Sequence, residues 1–161
     1  MTALGKFGSL AIVRQQSRWE FQLLGRLAFV DPVYGLREVP AGFVSDLASI
    51  RVLRNVCYWF VVVAILLAVL PWLPAWGSLL AGGIALGALV LYGVVAGYGI
   101  RPAILHDYEY SLGEIPRAGC DAMLYRALHS GDGTAAWRSA LFWVGVRLGG
   151  SRRYHRRPDS F

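Results

Sequence analysis

The sequence predicts an α+β protein: small N-terminal antiparallel strands packed with three C-terminal helices, interrupted by a two-helix transmembrane hairpin. Three observations carry this. Residues 55–100 contain no Asp, Glu, Lys, Arg or His, and every charge of the chain lies on either side of them. Before them, short runs alternate apolar and polar residues between turn signals, the period-two pattern of half-buried strands. After them, apolar residues recur at helical spacing between prolines and glycines placed as helix starts and stops. The 161 residues therefore divide into 1–54, the strand part of a soluble domain; 55–100, the hairpin; 101–150, the helical part of the same domain; and 151–161, a basic tail.

The first 18 residues hold a weak candidate strand around Leu10, Ala11, Ile12 and Val13, followed by the polar run RQQSR. From Trp19 the pattern tightens: WEFQL alternates, GRLAFVD follows, and Asp31-Pro32-Val33-Tyr34-Gly35 is turn chemistry before LREVPAGFVSD extends again. Two or three antiparallel strands result. Pro40 cannot donate to a central ladder, so it belongs at a strand end or edge.

In the hairpin, CYWFVVVAILLAVLPWLP offers about 18 residues and AWGSLLAGGIALGALVLYGVVAGYGI about 26, where a hydrocarbon core of ~30 Å needs about 20 helical residues. Pro71 and Pro74 break the helix, and Trp72 and Trp76 suit the headgroup level, making LPWLPAW the tip. Gly83 and Gly87 are four apart, as are Gly93 and Gly97, which offers a groove for close helix packing; the plain alternative is the general tolerance of glycine in membrane helices. Arg51 and Arg54 precede the first span and Arg101 follows the second, while the tip has no positive charge. Both termini are therefore expected on the cytoplasmic side of a bacterial inner membrane. The internal position excludes a cleaved signal peptide.

Beyond the hairpin, Pro102 and Gly113 bracket the helix in RPAILHDYEYSLG, with Ala103, His106, Asp107 and Tyr110 on one face. A second helix runs from Pro116 to near Gly131, its stripe holding Arg117, Asp121, Leu124 and Leu128. A third starts at Thr134 as N-cap, has Trp137, Ala140, Leu141, Val144 and Leu148 as its core face, and stops at Gly149-Gly150. The tail SRRYHRRPDSF is expected to be mobile.

The net charge is +6, and 15 of the 16 basic residues are arginine, which GC-rich codon usage explains more simply than phosphate recognition does. Two cysteines, Cys57 and Cys120, are placed for neither a disulfide nor a metal cluster, in keeping with a reducing compartment. There is no Gly-rich phosphate loop, His-Glu-x-x-His or G-x-S-x-G elbow.

An acid on an apolar stripe needs a partner, because an unpaired buried carboxylate is strongly unfavourable. Asp121 is such an acid, and packing of helices on strands brings Asp46, His106, Asp107 and Asp121 towards Arg117, with Ser49 and Tyr110 in the surrounding polar network. Read structurally, these residues pin a small domain together through ion pairs. Read functionally, Asp46, His106, Asp107 and Asp121 are candidate catalytic residues and ligands of a divalent metal such as manganese, iron or zinc. Arg152, Arg153, His155, Arg156 and Arg157 around Tyr154 are candidates for anionic lipid headgroups, the nearest anions to a membrane-bound chain; nucleic acid is not expected as a partner.

VPAGFVSDLASI, RPAILHDYEY, the Arg117 to Asp121 spacing in PRAGCDAMLYRAL and the closing VRLGG together resemble the domain of unknown function 1353 family, small proteins frequent in phages and prophages. The matching residues are Val39, Pro40, Gly42, Phe43, Asp46, Ala48, Ser49, Ile50, His106, Asp107, Tyr110, Arg117, Asp121, Val146, Arg147 and Gly149. Ser45, Arg51, Glu109 and Cys120 depart from the family pattern, and the hairpin replaces a much shorter connection. The resemblance implies a fold and a viral setting but no established activity. The expectation is a membrane-anchored phage or prophage protein with an accessory or structural role at the host inner membrane, in lysis, assembly or host takeover. Its partners would be the lipid bilayer and either further copies of itself or another phage or host membrane protein. The alternatives are a metal-dependent hydrolase built on the Asp/His cluster and a holin-like membrane permeabiliser.

Overall fold

Five short strands come first: β1 (Val13–Gln15), β2 (Phe21–Leu23), β3 (Leu27–Asp31), β4 (Gly35–Val39) and β5 (Val44–Ser45). Five helices follow: α1 (Ala48–Ala68), α2 (Ala75–Val95), α3 (Ile100–Leu112), α4 (Arg117–Arg126) and α5 (Ala136–Gly149). A π-turn, Ala127–Gly131, prolongs α4, and a single 3-10 turn, Gly150–Arg152, follows α5. This computed structural model describes residues 4–17, 20–69, 74–95, 98–152 and 154, and side chains there except at 48–54, 56, 94, 95 and 152. The α+β class with short antiparallel strands is as expected. The strands are more numerous than the alternation suggested, because pieces of two to five residues are too short to show a clear period.

The strands form two sheets. β1, β2 and β5 pair antiparallel in that order, with Val13 opposite Leu23 and Phe21 opposite Ser45. β3 and β4 form a hairpin with Leu27 opposite Val39 and Asp31 opposite Gly35. Its turn is the Asp31 to Gly35 stretch: Asp31 Oδ1 accepts from the amides of Val33 and Tyr34 at 2.8 and 2.9 Å, and Gly35 takes φ 72°, which a side chain would disfavour. β3 alternates in burial though not in polarity, burying Leu27, Phe29 and Asp31. Pro40 directly follows β4.

Helix α3 is the centre of the domain. Ala103, Ile104, Leu105, His106, Glu109 and Tyr110 are all buried, so it has no single wet face to oppose a dry one, and it packs against β4, β5 and α4. Gly113 ends it at φ 64°, its amide donating to the Glu109 carbonyl at 3.1 Å. Residues up to 51 and from 99 onward form one compact unit, and Val52–Tyr98 forms a second.

Within that second unit, Ala75–Gly93 is long and apolar enough to cross a membrane, and 11% of that stretch is buried. Cys57–Ala68, the apolar part of α1, is shorter, so one helix rather than two meets the length and composition of a span among the described residues. The rest of the expected first span, with Pro71 and Trp72 of the tip, lies outside the described residues. Among the described residues, a Cβ added at Gly83, Gly87 or Gly93 meets no atom within 4 Å, so of the two readings of these glycines the close-packing one finds no contact there; Gly97 lies outside the described residues.

Two expectations for α5 are corrected. Its N-cap is Ala135 rather than Thr134, whose buried hydroxyl finds no hydrogen-bond partner. Its inward face is Ser139, Phe142 and Val146, while Trp137, Val144 and Leu148 are exposed and Ala140 and Leu141 half-buried. A buried serine makes the true inward face look less apolar than the outer one. Tyr154 also departs from the expected mobile tail: its hydroxyl donates to the Ile115 carbonyl at 2.9 Å and its ring meets that of Tyr110 at 5.4 Å.

Candidate functional site

Three helices and one strand bring a polar cluster together. The spacing in α3 puts His106 and Tyr110 one turn apart, and their rings lie 4.0 Å apart, both facing α4. From α4, Asp121 receives both: His106 Nε2 is 3.0 Å from Oδ1, and the Tyr110 hydroxyl donates to the same oxygen. From α5, Arg147 Nη1 donates to Asp121 Oδ2 at 3.0 Å. Asp121 is fully buried, so these partners are what make its charge tolerable.

Arg117 works at the edge of the cluster. Its Nε lies 3.9 Å from Asp121 Oδ2 and donates to the Tyr110 hydroxyl at 3.4 Å. Its Nη2 donates to the carbonyls of Val146 and Arg147 at 3.0 and 2.6 Å, at the C-terminal end of α5, where the Val146 carbonyl also accepts from the Gly150 amide. One arginine thus ties α3, α4 and the end of α5.

On the other side of the imidazole, His106 Nδ1 is 4.0 Å from Asp107 Oδ1, and Asp107 Oδ2 accepts from the Ser45 hydroxyl at the end of β5. The Ser45 oxygen in turn accepts from the Leu47 amide at 3.1 Å. Leu47 has φ 50°, an uncommon conformation for a non-glycine residue, and it turns the chain from β5 into α1. Asp46 stands half-buried in that turn, and the Ser49 side chain lies outside the described ones.

The electrostatics follow from this packing. Burial alone would lower the His106 pKa, but hydrogen bonds to Asp107 and Asp121 outweigh it and hold the value above the ordinary 6.5. Burial alone would raise the Asp121 pKa, and the bonds from His106, Tyr110 and Arg147 bring it below the usual carboxylate range. The Tyr110 phenol is pushed well above its ordinary value, by burial first and by the Asp121 carboxylate second. Burial pushes the Cys120 thiol up to about 12, which makes it inert as a nucleophile. The cluster sets the His106 ring between the carboxyl groups of Asp121 and Asp107, with Arg117 and Arg147 on the outer side of Asp121.

Of the residues singled out in the sequence, His106, Asp107, Tyr110, Arg117 and Asp121 are brought together. For the alternative of a divalent metal on Asp46, His106, Asp107 and Asp121, no group of three or more His, Cys, Asp or Glu side chains among the described residues is placed to hold an ion. His106 Nε2 is directed at Asp121, and both Asp121 oxygens already accept from protein donors.

Other ion pairs were not foreseen. Glu109, fully buried on α3, takes a two-point contact from Arg37 of β4, at 2.8 Å from Nε and 2.6 Å from Nη2, with Glu114 3.4 Å away. Asp31, also buried, takes a two-point contact from Arg126 at 2.8 and 3.0 Å. Arg101 reaches Asp132 at 2.7 Å and lies over the Phe7 ring. The Arg37 and Asp31 pairs join strands to helices from opposite sides of residues 55–100, and periodicity says nothing about partners so distant in sequence. The one available signal was Glu109, a charge one turn from His106 on an otherwise buried helix.

No protein-family model, curated protein or solved structure matches the chain.

Proposed function

We propose that this is a membrane-anchored phage or prophage protein, related to the domain of unknown function 1353 family, whose α+β domain serves an accessory or structural role at the cytoplasmic face of the host inner membrane. In this reading both α1 and α2, with the residues joining them, form a two-span hairpin, and both termini lie in the cytoplasm. The observation that carries it is the orientation of side chains in the insertion: Tyr58, Trp59, Phe60, Leu66, Trp76, Leu79, Leu80, Leu86 and Leu89 are all exposed. An apolar surface of that extent needs lipid or protein against it.

The closed polar cluster supports a structural rather than a catalytic domain, since its charged groups are spent on one another across β5, α3, α4 and α5. The family resemblance is supported by the same cluster, because His106, Asp107, Tyr110, Arg117, Asp121 and Arg147 are all motif residues. A hole-forming role would not call for a domain pinned by buried ion pairs around the hairpin.

Membrane fractionation of the expressed full chain tests the anchor. Integral behaviour, with resistance to alkaline carbonate and extraction only by detergent, is the expected result; release by carbonate would rule out spanning helices. Cysteines introduced near residue 74 should react with a membrane-impermeant reagent from the periplasmic side, and cysteines in the loop around Gly133 should not.

A further inference from the structure

Helix α5 carries apolar residues on the side turned away from the domain. Ser139, Phe142 and Val146 anchor it inward, and Trp137, Leu141, Val144 and Leu148 fall within a narrow arc on the opposite side by helical geometry. Trp137 is 53% exposed, Val144 44% and Leu148 81%. Trp143, 38% exposed, lies off this stripe beside the inward face, and the Arg138 guanidinium sits over the Trp137 ring at 5.1 Å. Between Asp132 and Asp159 the chain has six arginines and no acidic residue.

We propose that the outer face of α5 lies on the anionic lipid surface, with Trp137, Leu141, Val144 and Leu148 inserted at headgroup level and the arginines of the tail supplying the positive charge for lipid phosphates. This deepens the membrane reading above and rests on it. A helix with tryptophan and leucine on one side and arginine beside them is the composition of an interfacial helix. Arg147 is already committed to Asp121, so the charge offered to lipid comes from the arginines of the basic tail.

Lipid is favoured over a second copy by charge. A twofold self-association through this face would set its arginines against their own copies with no acid on the helix to pair them. Tethering favours lipid as well: only residues 96–98 separate α2 from Gly99, the N-cap of α3, a reach of about 10–15 Å at the extension of a peptide chain. A domain held that close to a bilayer meets it at high effective concentration, so even a weak interfacial affinity is realised.

The test uses the full chain reconstituted into vesicles of phosphatidylcholine alone or mixed with phosphatidylglycerol. A fluorophore is placed at Leu148→Cys and, in a second protein, at Leu86→Cys of α2, with labelled wild type giving the background from Cys57 and Cys120. The expected result is quenching of the 148 label by lipids carrying a nitroxide, together with protection from iodide. Both should depend on phosphatidylglycerol and be lost in high salt and in the Trp137→Glu variant, while the 86 label is quenched in either lipid. A 148 label that iodide reaches and lipid nitroxides do not, with 86 still quenched, would overturn the proposal and leave the anchor standing. Protection of 148 from both quenchers, with spin–spin coupling between copies, would overturn it in favour of a self-associating face. Absence of lipid quenching at 86 would remove the anchor and the proposal together.

Discussion

Helices α2 and α3 invert each other's rules. Helix α2 carries no charge, yet its large side chains face outward and 11% of its apolar stretch is buried. Helix α3 carries Arg101, His106, Asp107 and Glu109 in thirteen residues, and His106 and Glu109 are among its most buried side chains. The first depends on what surrounds the molecule, and the second on partners the chain supplies itself. Those partners come from both sides of the insertion: Arg37 and Ser45 precede it, and Asp121 follows it. Ionic pairing therefore specifies how the two flanks meet, while α2 presents an apolar surface.

Asp121→Ala should break the ionic side of this contrast most severely. It leaves the buried His106 Nε2 and the Tyr110 hydroxyl without their acceptor and takes from the exposed Arg147 its carboxylate partner, at a cost of about 3–5 kcal/mol. Urea unfolding of the detergent-solubilised chain would measure the loss, and the membrane fraction of the variant should not change. Arg37→Ala strands the fully buried Glu109 and should destabilise by a comparable about 3 kcal/mol, whereas the double variant Arg37→Met with Glu109→Leu should recover to within about 1 kcal/mol of the parent, because an apolar pair of similar volume avoids the desolvation cost. Recovery would identify the pair as a structural contact that an apolar pair can replace.

Leu86→Arg is the mirror experiment on α2. Placing a guanidinium mid-helix should weaken insertion by about 2.5–3.5 kcal/mol, read as the membrane-integrated fraction in a glycosylation-tag assay, with domain unfolding unchanged.

Titration gives a smaller effect with a defined sign. The folded pKa of His106 is raised, so its contribution to stability is complete below about 6.5 and is lost as pH rises through the folded value. The folded pKa of Asp121 is lowered, so its contribution is present above about 4 and lost as pH falls through the folded value. Thermal unfolding across a pH series should therefore show a maximum on the acid side of neutrality. His106→Gln should flatten the alkaline limb.

What was legible in the sequence had local causes. Pro102 and Gly113 bracket α3 through the stereochemistry of one turn each, and the Asp31 to Gly35 turn and Pro40 are likewise self-contained. The meeting of His106, Tyr110 and Asp121 was visible because helical spacing placed each on one face and a buried acid demands partners. Arg147 was matched as a motif residue without its role as the Asp121 partner, since nothing local couples α5 to α4. The face of α5 was misread because Trp137, Leu141, Val144 and Leu148 form a stronger apolar stripe than Ser139, Phe142 and Val146. Periodicity reports that a stripe exists and cannot distinguish a protein core from another apolar surface.

The most direct test of the central claim, that the flanks form an independent domain and the insertion is its membrane anchor, is deletion of residues 56–95 with a short Gly/Ser linker in their place. The variant should be recovered by salt wash or in the soluble fraction and unfold in one cooperative transition, with the maximum on the acid side of neutrality retained. A variant that is insoluble, lacks a cooperative transition or stays in the membrane after alkaline carbonate would contradict the account.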